Sequence, residues 1–127
     1  FLDRALSIDP NYGDARINRS LLFRRRGDLA AARRDLEAAT RDPRADGTAW
    51  MQLALLDLEA GRTAQAVTEL EKARRRVGDR TDVLNALGES YSRLNDRKNA
   101  LAILKKSLAI DPDQPNVKSA ILNLDNQ

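Results

Sequence analysis

The sequence predicts an all-α chain, a solenoid of antiparallel helix pairs with about seven or eight helices, and three observations carry that prediction. The first is a period: ALSIDPNYG near the start returns as SLAIDPDQP near the end, with Pro10 and Pro112 separated by 102 residues, three times 34. The second is spacing, because apolar residues recur every three or four positions, as on one face of a helix, and strand alternation is absent. The third is punctuation, since glycine, asparagine and proline fall at regular intervals and interrupt any heptad seam a coiled coil would need.

The period holds through the middle of the chain. Leu2, Leu36, Leu70 and Leu104 share one column, and Ala5, Ala39, Ala73 and Ser107 another. Ala32, Ala66 and Ala100 form a third, Gly27, Gly61 and Asn95 a fourth, and Ser20, Ala54 and Gly88 a fifth. Small residues at fixed places mark where two helices cross closely, and the larger aliphatics fill the space around the crossing.

Each element follows in order. A helix over about 1–9 stops at Asp9-Pro10, and the next, over 13–26, closes at Gly27, a residue that tolerates a left-handed cap. Asp28 opens 29–41, which stops at Asp42-Pro43; 47–60 closes at Gly61, and Thr63 stands at or near the N-cap of 63–77. The segment 81–94 carries Leu84, Leu87, Gly88, Tyr91 and Leu94 and ends at Asn95. Asp96 opens 97–110, with Ala100, Leu101, Ile103, Leu104 and Leu108 on its face and Asp111-Pro112 as its stop; a last helix is expected over 114–124.

Composition excludes several function classes. With no cysteine and no histidine, the 127 residues lack disulfides, thiolate and imidazole metal ligands, and the usual partners of nucleophilic catalysis. No metal-ligand spacing or glycine-rich phosphate loop occurs, so no cofactor and no enzymatic activity are expected of this segment. The carboxylate pairs Asp35/Glu37 and Glu69/Glu71 lie two apart on a helix and do not face each other, which makes solvated surface their expected role. No apolar run is long enough to span a bilayer, so a soluble segment is expected, the cytoplasm favoured as its compartment. The net charge of +3 comes entirely from residues 1–80. Arg24-Arg25-Arg26 and Arg74-Arg75-Arg76 close helices, where cations favour the C-terminal dipole end; with few aromatics interleaved, nucleic acid is disfavoured as a partner.

The stretch from Leu84 to Pro112 resembles a tetratricopeptide repeat, with Leu84, Leu87, Gly88, Tyr91, Ala100, Leu104, Ser107 and Pro112 in the signature columns. Trp50, Leu53, Ala54, Ala66, Leu70 and Ala73 match in the unit before it, while Asp57 stands where an aromatic is expected and Gly78 in the proline column. The unit from Gly13 to Pro43 keeps Phe23, Ala32, Leu36 and Ala39, but places Arg16 and Arg19 in columns that are normally aromatic and aliphatic.

The resemblance divides the chain into one array: the second half of a truncated repeat at 1–12, repeats at 13–46, 47–80 and 81–114, and a capping helix at 115–127. Beginning inside a repeat implies a piece of a longer array. The family's fold is a right-handed superhelix whose concave face, made by the first helix of each unit, binds a peptide or helix from a protein partner. Carried onto this sequence, its groove columns include Ile17, Leu21, Arg24 and Arg25, then Met51, Leu55 and Leu58, then Asn85, Glu89 and Ser92. The groove expected is apolar toward the N-terminal end and polar toward the C-terminal end. In the subtype that clamps the carboxylates of a chaperone tail, the clamp columns here read Ile17, Leu21, Gln52, Asp82 and Ala86, so that ligand is not expected.

A protein or peptide with apolar anchors, and with acidic character to meet Arg24 and Arg25, is the partner implied. Two alternatives stand beside it: some groove leucines belong to the interhelix core, or the array associates with copies of itself through its exposed repeat ends.

Overall fold

The computed structural model describes residues 13–42 and 47–126, so the helix expected over 1–9, the half repeat 1–12 and Pro43 lie outside the described residues. Among the described residues there are seven helices: α1 Gly13–Arg25, α2 Leu29–Thr40, α3 Thr48–Glu59, α4 Thr63–Val77, α5 Thr81–Arg93, α6 Arg97–Ile110 and α7 Pro115–Asp125. The sequence-derived bounds agree to within one residue at every one of these ends. Packing is strongest within the pairs α1–α2, α3–α4 and α5–α6, and each pair then rests on the next, with α7 against α6. The result is an all-α solenoid of helix pairs.

The turn inside each pair is built the same way three times. Asp28 N donates to Phe23 O at 2.9 Å, Arg62 N to Asp57 O at 2.8 Å and Asp96 N to Tyr91 O at 2.9 Å, which ties off the last carbonyls of the first helix. That geometry needs a left-handed residue, supplied by Gly27 at φ 82°, Gly61 at φ 79° and Asn95 at φ 60°. Asp28 and Asp96 then cap the second helix by accepting from Ala31 N and Asn99 N. The middle pair differs from expectation: Arg62 is the N-cap, Thr63 is already helical, and no side chain caps that end.

Ala32, Ala66, Ala100, Ala39, Ala73 and Ser107 are fully buried at the helix crossings, with Leu36, Leu70 and Leu104 filling the core between them. Gly88 lets its crossing close, since a Cβ there would lie 2.6 Å from Leu104 Cγ and the leucine would have to shift. At the first pair, Gly13 N donates to Asp42 Oδ2 at 2.8 Å, so the end of α2 caps the start of α1.

The interior also corrects one expectation. Asp35 and Glu69 are not solvated: they are 2% and 4% exposed, and Asp57 is fully buried. The reason is visible in the columns. Arg16 and Arg19 replace core residues in the first pair, and both turn inward to Asp35, at 3.2 Å and 2.6 Å. Arg33 of α2 likewise crosses to Asp57 of α3, with Arg62 Nη1 at 3.5 Å. In the third pair the equivalent positions hold Leu84, Leu87, Ile103 and Tyr91, and the packing is apolar.

Candidate binding surface

Helices α1, α3 and α5 are the first members of their pairs, and polar contacts link them into one layer. Arg24 of α1 pairs with Glu59 of α3, and Arg93 Nη1 of α5 donates to the Leu58 carbonyl of α3 at 3.2 Å. Asn85 of α5 donates to Gln114 Oε1, the N-cap of α7, at 2.8 Å. Both contacts between first helices join residues 35 positions apart, one more than the repeat.

The apolar candidates divide by exposure. Leu21 is 41% exposed. Ile17 is half-buried against the cluster of Ala32, Leu36, Leu53 and Leu56, while Met51 and Leu55 are half-buried against the larger cluster around Leu70, Leu84 and Leu87. Leu58 corrects its expected place on the groove: at 7% exposure it belongs to the core, packed with Ala54, Leu70 and Leu87. Its turn of α3 lies against α5, where Arg93 reaches across to its carbonyl. Accessible apolar surface is thus supplied by Leu21, with the partly covered flanks of Ile17, Met51 and Leu55.

The polar candidates are largely engaged within the array. Glu89 pairs with Arg93 at 2.7 Å, and the Ser92 hydroxyl donates to the Gly88 carbonyl at 2.9 Å, a bond within α5. Asn85 accepts from the Ser107 hydroxyl at 2.6 Å besides donating to Gln114, so its amide serves the junction of α5, α6 and α7. Gln114, which donates in turn to the Ser107 and Asp111 carbonyls, was missed from sequence; its position directly before Pro115 was the available signal. Arg24 is neutralised by Glu59, whereas Arg25 is exposed at the end of α1. Between α3 and α4, Lys72 Nζ stands 4.6 Å from the Trp50 ring centre, a cation–π contact that shields part of the indole.

Among the described residues, no group of three or more carboxylates, histidines or cysteines is placed to hold a metal ion, and no helix is long and apolar enough to cross a membrane.

A model of the tetratricopeptide repeat matches residues 57–124, and a second model of the same repeat matches residues 17–67. The chain belongs to the tetratricopeptide repeat family. Arrays of this family are scaffolds for protein–protein interaction, typically without catalysis. Cellulose synthase operon protein C of Escherichia coli strain K12 is 40% identical over 62 residues, 49% of this chain and 5% of that protein. The chain spans a small fraction of the curated relatives it matches.

Solved tetratricopeptide folds superpose over nearly all of the array. MamA matches with a TM-score of 0.86 at 17% identity, covering 97% of this chain and 72% of its own. The pilF product of Pseudomonas aeruginosa gives 0.87 at 22% identity, covering 97% and 56%. YrrB, described as a TPR protein with an unusual peptide-binding site, gives 0.83 at 16% identity, covering 97% and 63%.

Proposed function

We propose that this tetratricopeptide array binds an extended or helical segment of a protein partner on the face made by α1, α3 and α5, through apolar anchors seated around Leu21, Ile17, Met51 and Leu55. The observation that carries the reading is Leu21, a leucine 41% exposed in the layer of first helices, in register with half-buried Leu55 one repeat on. Methionine at position 51 gives such a face adaptability. The description of YrrB as having a peptide-binding site is in keeping with a peptide ligand. The clamp for a C-terminal carboxylate is missing from the columns that would carry it, which sets this ligand apart from a chaperone tail. An acidic flank on the partner would meet exposed Arg25 more readily than Arg24, which Glu59 already neutralises.

The test is selection of binding peptides from a displayed library, followed by affinity measurement on the wild type and on Leu21→Glu and Leu21→Glu/Leu55→Glu, each checked by circular dichroism. Selected peptides carry apolar anchors and lose at least tenfold in affinity to folded Leu21→Glu. Peptides that bind all three equally overturn the reading.

A second reading, self-association through the C-terminal end, has its own observation. Leu122 and Ile110 are 62% and 51% exposed, and Leu108, Lys118, Ile121 and Leu122 line an open apolar hollow between α6 and α7. Sedimentation that shows a monomer at all concentrations removes it.

A further inference from the structure

Three carboxyl oxygens in the interior of the second helix pair lack any N–H or O–H donor: Oδ2 of Asp57 and both oxygens of Glu69. Both residues are sealed from solvent, Asp57 completely and Glu69 at 4% exposure. The two carboxyls meet, α3 to α4, closely enough for a hydrogen bond once either carries a proton. Two ionised carboxylates are both acceptors and repel, so that bond exists only when one of them carries a proton.

The surrounding charges count the same way. From α2, Arg33 reaches Asp57 and the field of Glu69, and its own i,i+4 partner Glu37 lies 2.8 Å away. From the start of α4, Arg62 stands 3.5 Å from Asp57 with its side chain 56% exposed to solvent, which weakens its pull. On α5, the other helix packed against α4, Asp82 is held by Arg80, and Tyr91 sits in the field of Glu71, Asp96 and Arg74. One close guanidinium therefore faces two buried carboxyls and a third at the rim.

We propose that Asp57 and Glu69 hold a single proton between them, as a carboxylic acid–carboxylate hydrogen bond whose one negative charge Arg33 neutralises, and that loss of this proton sets two buried carboxylates against each other and loosens the packing of α3 on α4. Burial, followed by the bond to Asp57 and its negative field, pushes the Glu69 carboxyl up to about 9, with Arg33 opposing. A crevice of about 230 Å³, lined by Leu29, Ala30, Arg33, Leu56, Ala60 and Arg62, opens beside the two guanidiniums that reach Asp57.

The sign follows from proton counting. An unfolded glutamate releases its proton near 4.5, whereas folded Glu69 keeps it to about 9, so the folded state binds one proton more across that interval. Stability from this source is complete below the lower value and lost as pH rises through the upper one. Because α3 also carries Met51 and Leu55, loosening of α3 on α4 would reach the binding face of the proposed function.

Chemical denaturation from pH 6 to pH 9 on wild type and Glu69→Gln decides the matter, because glutamine donates permanently where the acid donates only when protonated. Relative to Glu69→Gln, the wild-type unfolding constant rises by about tenfold per pH unit across the interval. Parallel pH profiles overturn the proposal. The carbon-13 shift of the Glu69 carboxyl, followed by NMR in the wild type, gives an answer even where the variant does not fold. A protonated carboxyl at pH 7 supports the shared proton, and a carboxyl that titrates in the ordinary glutamate range refutes it.

Discussion

Arg19 holds Asp35 in a two-pronged grip across the first helix pair, Nε to Oδ2 at 2.7 Å and Nη2 to Oδ1 at 2.6 Å. Planar guanidinium and carboxylate match in this geometry, and a buried carboxylate without such a partner is costly. Arg19→Leu should therefore destabilise the array by about 2–3 kcal/mol in urea denaturation, less than the roughly 3–5 kcal/mol of a fully buried broken pair, because Arg19 keeps some solvent contact and Arg16 still reaches Asp35. Arg16→Leu/Arg19→Leu/Asp35→Ile, which installs the residues of the third pair, should recover most of that loss.

Gly88 and Leu104 define the tightest crossing in the third pair. Gly88→Leu should overpack it and cost about 1–3 kcal/mol, read as a lowered thermal midpoint. Combining Gly88→Ala with Leu104→Ala should cost less than the sum of the single changes, since the second removes the atoms that the first displaces.

Gly61 offers a test of backbone strain with packing removed. No described atom lies within 4 Å of the Cβ that a substitution would add, while φ is 79°. Gly61→Ala should cost about 1–2 kcal/mol through the left-handed conformation alone. A neutral result would mean that the turn relaxes to another geometry, and the amide exchange of Arg62, whose N–H closes the turn, would then rise.

Arg74 and Lys106 hold the Asp79 carboxyl below the usual aspartate range, at 2.7 Å and 3.1 Å. A depressed folded value means stability that is present above the unfolded value and lost as pH falls through the folded one. NMR titration should place Asp79 below 3.8, and Lys106→Met should move it back toward that value. Added salt should shrink the difference, since this cluster faces solvent.

Helix ends were legible because their causes are local. Gly27, Gly61 and Asn95 each announce a left-handed residue, and Asp28 and Asp96 each bond an amide three positions on. The alanine columns were legible because a close crossing tolerates only small residues wherever it recurs. Burial of Asp35 and Glu69 escaped a reading that compared them only with neighbours on their own helix. A signal was present in Arg16 and Arg19, two cations in core columns of the same repeat, which required an interior acid. Leu58 escaped for the converse reason: the core it joins includes Leu84 and Leu87 of the next repeat, and no column of its own repeat records that packing.

The pairing of Arg33 with Asp57 also fixes the order of the helix pairs. The turns within the pairs are interchangeable, since the same backbone bond closes each of them, but the interior is not. In the third pair the position of Arg33 is taken by Leu101, so a shuffled array that set the second pair behind the third would bury Asp57 against an aliphatic side chain. The seam thus works as a keyed joint, accepting one predecessor and rejecting another, and the sequence of modules along the solenoid is specified by charge inside it.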